Sequence, residues 1–181
     1  MLNLKPSSHS DQRTLGFLKQ NPAISQSLLA DLGHNLSQVA TIIEPVLNAP
    51  SRCGISDYYI QAVTTGRTTF LVTNLMDDQA HCVTTISTSW LVGRSGSCAI
   101  ALPQGTVSRC HAVIGHSVSR GGFYIMDLGS SNGTFINRRR LPALEKHLLH
   151  DGDLIEFSKV RVEFFLSCWH EPAVATQDTH F

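Results

Sequence analysis

Asp127-Leu128-Gly129-Ser130-Ser131-Asn132-Gly133-Thr134 is the stretch on which the reading of this chain turns. It is a polar, glycine-rich knot at the end of a short apolar run, Phe123 to Leu128. Two similar knots precede it, Gly93-Arg94 and Ser108-Arg109-Cys110-His111. Hydroxyls, an amide and an arginine are thereby gathered on turns, where they can converge on a ligand while strands stay behind as a frame. Arginine with hydroxyl and amide donors is the chemistry of a phosphate receptor. No nucleophile, base and orienting group occur together, so the set suggests grip rather than catalysis. Taken alone, the octapeptide reads equally well as a hairpin turn, because Asn-Gly is a standard two-residue connector.

Outward from these knots the chain is β-rich. Short apolar runs cover 68–75, 82–86, 89–92, 98–102, 111–116, 123–128, 134–136, 154–157 and 160–166. Turn residues separate them: Asp77-Asp78, Arg94-Ser-Gly-Ser, Pro103-Gln-Gly105, Arg120-Gly-Gly and Asp151-Gly-Asp153. This spacing predicts an antiparallel β-sandwich. Residues 58–63 fit helix or strand equally, and 144–150 read as a loop or irregular strand.

Residues 11–50 differ. Asn21-Pro22 is an N-cap followed by proline in the first turn. Leu28, Leu32, Leu36, Val39, Ile43 and Val46 recur every three or four residues, which predicts one apolar face of a helix that Pro50 ends, although Gly33 interrupts it. The stripe must be buried, either on the sandwich or in a homo-oligomer through residues 11–50. The predicted organisation is a helical extension and linker over 1–57, a sandwich over 58–168 and a polar tail over 169–181, with 1–10 polar and unstructured.

Bulk properties narrow the function. The 181 residues, 42% hydrophobic, can bury a real core. Fourteen basic and fourteen acidic residues cancel, which removes the electrostatic footprint of a nucleic-acid binder. Five scattered cysteines without a C-x-x-C pair suggest neither a disulfide framework nor a zinc ribbon. No signal-peptide core and no run of about 18 apolar residues is present, so the expectation is a cytoplasmic protein with no membrane partner. No cofactor or metal is expected. His147-Leu-Leu-His150 lacks a cysteine partner, Arg94-Ser-Gly-Ser lacks the lysine of a P-loop, and adjacent Cys110 and His111 would point to opposite faces of a strand.

Four motifs, in order, give the chain its resemblance: Gly93-Arg94, Ser108-x-x-His111, Asp127-Leu-Gly-Ser-x-Asn132-Gly-Thr134 and Asp151-Gly-Asp153-x-Ile155-x-Phe157. From about Phe70 to Leu166 the sequence resembles a forkhead-associated (FHA) domain. The resemblance implies a β-sandwich that binds phosphothreonine peptides through loops at one end, without catalysis. It implies that Arg94 and Ser108 contact phosphate, that Arg109 contacts peptide or adds charge, and that Ser131 adds a phosphate or methyl contact. Asn132 would hydrogen-bond the peptide backbone just beyond the phosphothreonine. Gly93, His111, Gly133 and Thr134 would be structural, with His111 a strut between loops. The implied partner is a threonine-phosphorylated protein in Ser/Thr-kinase signalling. The alternative is a scaffold that packs on partners without phosphate. One departure stands out: where the family often has Asn-Gly, this chain reads Asn137-Arg138, followed by Arg139 and Arg140. That basic loop is either a solvated turn or an accessory contact, for acidic residues flanking the phosphothreonine or for an acidic partner protein.

Overall fold

The computed structural model describes residues 9–76, 81–119 and 121–169. The expected turn at Asp77-Asp78, the first residue of Arg120-Gly-Gly, the segment 1–8 and the tail beyond 169 lie outside the described residues.

Among the described residues three helices come first: α1 (His9–Gln20), α2 (Pro22–Asp31) and α3 (Leu36–Arg52). His9 and Ser10, expected to be unstructured, belong instead to α1. Arg13 anchors this helix, donating to Asn48 Oδ1 at 3.2 Å and to the Leu47 carbonyl at 3.1 Å. Asn21 occupies the N-cap of α2, but its side chain turns back and donates to the Phe17 carbonyl of α1 at 2.9 Å. Pro22 opens α2, as its missing N–H allows.

The stripe from Leu28 to Val46 does not lie on one helix. Gly33 and His34 both adopt positive φ, 61° and 60°, and end α2. Asn35 then starts α3, its Oδ1 accepting from the N–H groups of Ser37 and Gln38 at 3.1 and 3.3 Å. A left-handed stop followed by a strong cap outweighs continuous apolar spacing. Pro50 does not stop α3, which continues to Arg52. Packing holds this last turn: Ala49 is buried against Tyr59 and Phe165. The Arg52 guanidinium lies 4.1 Å above the Phe165 ring and 2.7 Å from Asp151 Oδ2.

Twelve strands follow among the described residues. They are β1 (Tyr59–Thr64), β2 (Thr69–Thr73), β3 (Cys82–Val83), β4 (Ser89–Gly93), β5 (Ile100–Ala101) and β6 (Ala112–Ser117). Then come β7 (Gly122–Asp127), β8 (Thr134–Ile136), β9 (Arg139–Arg140), β10 (His147–Leu148), β11 (Asp153–Phe157) and β12 (Val160–Cys168). The ambiguous 58–63 segment is therefore strand, and 144–150 contributes the two-residue β10. One sheet runs β3-β2-β1-β12-β11-β8-β9 and the other β10-β7-β6-β4-β5. The expected sandwich is present, but its sheets are mixed rather than wholly antiparallel. β1 pairs parallel with β12, and β4 with β5. The first pair is joined by the whole sandwich, which supplies the long crossover that a parallel pair needs.

Between the sheets lies a core that includes Trp90, Phe123, Phe157 and Phe164. β1 and β2 are buried at every residue. Period-two alternation explains this: Ile60, Ala62 and Leu71 face the inter-sheet core, while Val63, Phe70 and Val72 meet the helices. Leu28, Leu32, Val39, Ile43 and Val46 belong to that second cluster. The helical stripe is thus covered by the chain's own sheet. No helix among the described residues is long and apolar enough to cross a membrane.

Candidate functional site

Gly93 ends β4 and directs Arg94 into the following loop. A Cβ at Gly93 would lie 2.3 Å from the Arg109 carbonyl oxygen, so only glycine lets these two segments approach. Arg94 then donates its backbone N–H to the Ser108 carbonyl at 2.9 Å. Its guanidinium is exposed but held, with Nε donating to the Val107 carbonyl at 3.2 Å. Neither terminal nitrogen has a hydrogen-bond partner among the described residues. This is how arginine presents a fork: one nitrogen fixes the plane and two reach outward.

Ser108 joins the second loop to the third. Its Oγ accepts from the Ser131 N–H at 3.1 Å, so its own hydroxyl proton can be donated elsewhere. Asn132 donates through Nδ2 to the Thr106 carbonyl at 2.7 Å, which leaves Oδ1 to accept from a ligand N–H. The Ser131 and Asn132 side chains are exposed. Arg94, Ser108, Ser131 and Asn132 are therefore brought together by direct hydrogen bonds between their loops.

Beneath them His111 is wholly buried. The Ser108 N–H lies 3.1 Å from Nδ1, and Nε2 lies 3.2 Å from the Gly133 carbonyl. These partners require a neutral ring that accepts at Nδ1 and donates from Nε2. Burial holds the imidazole below its ordinary pKa, outweighing the Gly133 bond and the nearby Asp127 charge. His111 also packs edge-on against Phe157, with ring centroids 5.9 Å apart. Geometrically it is a strut between two loops.

The sequence reading passed over Asp127 as a site residue, yet its carboxylate shapes the third loop. Oδ1 accepts from the N–H groups of Gly129 and Ser130, each at 2.9 Å. Oδ2 accepts from the hydroxyls of Ser130 and Thr134, each at 2.6 Å. Ser130 Oγ in turn accepts from the Gly133 N–H at 3.0 Å. Burial alone would raise the Asp127 pKa, but these four donors bring it below the usual carboxylate value. The signal was legible, since aspartate two residues before glycine is an Asx-turn pattern.

Arg109 stands apart. Its carbonyl accepts from the Ser95 N–H at 3.1 Å and from Cys98 Sγ at 3.3 Å. Its exposed side chain borders a surface depression with Ser95 and Cys110. The basic segment is not a loop throughout: Arg139 and Arg140 form β9, paired with Ile136 and Phe135. Asn137 and Arg138 make the two-residue turn, with φ of 50° and 69°. The turn thus keeps the left-handed geometry that Asn-Gly would adopt, with arginine in the glycine position. Gly133, at φ 85°, has the Arg140 side chain over it: a Cβ there would lie 2.7 Å from Arg140 Nε.

The geometry defines a mixed-sheet β-sandwich with a convergent polar site on its inter-strand loops. The profile of the FHA domain family matches residues 90–158. Human kanadaptin is 38% identical over 76 residues, which are 37% of this chain and 10% of kanadaptin. The solved FHA-2 domain of the Mycobacterium tuberculosis ABC transporter Rv1747 is 34% identical. That match covers 42% of this chain and 67% of the domain, with a TM-score of 0.37. The MEK1 FHA domain, solved with a HOP1 phosphothreonine peptide, is 31% identical over 39% of this chain and 72% of its own, with a TM-score of 0.35. The chain belongs to the FHA domain family. Its match spans 10% or less of kanadaptin, of mouse mediator of DNA damage checkpoint protein 1 and of full-length Rv1747.

Proposed function

We propose that this chain binds threonine-phosphorylated proteins through Arg94, Ser108, Ser131 and Asn132, as a non-catalytic adaptor in Ser/Thr-kinase signalling. The observation that carries the reading is the Arg94 guanidinium, fixed through Nε by the Val107 carbonyl beside the free hydroxyl proton of Ser108. A phosphothreonine brings about −1.5 to −2 charges and three acceptor oxygens to such a set. Family membership supports the same ligand, since the MEK1 relative was solved with a phosphothreonine peptide. Asn132 accepts from the peptide backbone through Oδ1, and Arg109 adds charge at the periphery. Gly93, His111, Gly133 and Thr134 set the loop geometry. Residues 58–168 form the binding unit, and the helices stabilise it from outside. Five free cysteines suit a reducing cytoplasm.

Titration of the full chain with a degenerate phosphothreonine-peptide library tests this reading. Phosphorylated peptides are expected to bind, and phosphatase treatment to abolish binding. Equal binding of phosphorylated and unphosphorylated peptides defeats it in favour of a phosphate-independent scaffold.

A further inference from the structure

A groove of about 800 Å³ opens beside the site, lined in part by Arg139, Arg140, Glu145, Lys146, His147 and Asp153. It lies along β9 and β10, which are the end strands of the two sheets. Arg140 belongs to both places, because it lines the groove and also covers Gly133, the residue after Asn132. A peptide held at Asn132 therefore has a cation beside its path.

The charges in this groove are unevenly satisfied. The Asp153 carboxylate is buried and engaged, accepting from Asn137 Nδ2 and from the His150 N–H, each at 2.8 Å. Lys146 lies over the Tyr124 ring, with Nζ 4.4 Å from its centroid. Among the described residues, Arg139 and Arg140 form no side-chain hydrogen bond or ion pair. Glu145 is the remaining acid on the lining, against two uncommitted guanidinium groups. His147 Nε2 is buried without a hydrogen-bond partner among the described residues, which adds a polar group to be satisfied.

We infer that the β9–β10 groove is a second anion subsite, which takes an acidic side chain of the same peptide that the phosphothreonine site holds, with Arg140 as its first contact. The inference rests on the phosphothreonine reading. The acidic group is a carboxylate or a second phosphate, and both suit a paired guanidinium. The two-residue edge strands also leave backbone groups beside an extended peptide.

The test uses the full chain and peptides with one phosphothreonine. One series has neutral flanks, one carries a single aspartate scanned through each flanking position, and one carries a second phosphothreonine in its place. Aspartate at the favoured position is expected to tighten binding about three- to fivefold, and a second phosphate about tenfold. Arg139→Gln with Arg140→Gln should erase both gains, and 0.5 M salt should shrink them. A gain from phosphate alone assigns the subsite to doubly phosphorylated peptides; a gain from both assigns it to acidic peptides generally. Thermal melts identify a variant that fails to fold, and the wild-type salt dependence then decides. Should the neutral-flank peptide bind with no gain at any position, the groove inference falls while the phosphothreonine reading stands. If no phosphorylated peptide binds, both fall.

Discussion

Ser108 Oγ accepts a hydrogen bond of 3.1 Å from the backbone N–H of Ser131, across 23 residues of chain. This bond joins the loop after β5 to the loop after β7. It leaves the hydroxyl proton of Ser108 to be donated elsewhere. The oxygen that makes this structural contact is also the one we propose for the ligand, and the two loops are joined without one.

Arg94→Ala should remove phosphopeptide binding and leave the fold intact. The side chain is exposed and makes one bond to the Val107 carbonyl, so stability should change by no more than about 1 kcal/mol. Losing charge-assisted bonds to phosphate should weaken binding roughly a hundredfold or more. Arg94→Lys should also be clearly impaired, because the charge survives and the fork does not. Calorimetric titration beside urea melts measures both effects, and unchanged affinity in Arg94→Ala would remove this residue from the site.

Gly93→Ala should destabilise the domain by about 2–3 kcal/mol, because the new methyl meets backbone atoms that cannot move aside. They are the Arg109 oxygen at 2.3 Å, the Arg109 carbon at 2.9 Å and the His111 nitrogen at 3.0 Å. Gly96→Ala is the matched control, since nothing lies within 4 Å of its Cβ. Equal melting midpoints for the two variants would contradict the packing described for β4.

Acid should weaken the fold in two stages. His111 has its pKa lowered by burial, so the unfolded chain binds its proton more readily than the native one. Stability from this group is complete above about pH 6.5 and declines as pH falls below it. Asp127 is also depressed, despite burial, by its four donors. Its contribution is present above about pH 4 and is lost as pH falls through the lower native value. His81 and His116, likewise lowered by burial, add to the first stage. Urea melts across pH should therefore show a shallower slope between pH 7 and 5 in His111→Asn than in the wild type.

Leu32→Glu with Leu36→Glu should lower the melting temperature. Leu32 is 5% exposed within the helix–sheet cluster and Leu36 packs against it, so the charges would enter an occupied interface. Deleting residues 9–52 should do more, by uncovering Val63, Phe70 and Val72. Light scattering beside a thermal melt reads the outcome. A double variant with an unchanged melt but a smaller solution mass would assign the stripe to association between copies.

Arg138→Gly should stabilise the chain by about 0.5–1 kcal/mol. Arg138 sits at φ 69° in a tight turn, where a side chain is strained and glycine is not. Chemical denaturation detects a change of this size. A loss of stability would mean that the Arg138 side chain makes a contact worth more than the strain.

The features legible in the chain alone are local. Turn residues placed most strand ends, and polar knots at three turns put Arg94, Ser108 and Asn132 on loops. What these elements meet is set by packing between distant parts of the chain. The run Phe70-Leu71-Val72 in β2 allows burial on both faces, but the helices that cover the second face arrive from another part of the chain. The parallel pairing of β1 with β12 has the same character, since its partners stand about a hundred residues apart and no local pattern selects the direction. Arg140 illustrates the limit most directly. In sequence it is one of three arginines after a turn; its place over Gly133 follows from the β8–β9 register, which pairs Phe135 with Arg140 and brings that side chain back across the loop. Spacing along the chain records which groups are available, whereas their convergence is set by sheet closure and packing, which act between residues that the sequence keeps apart.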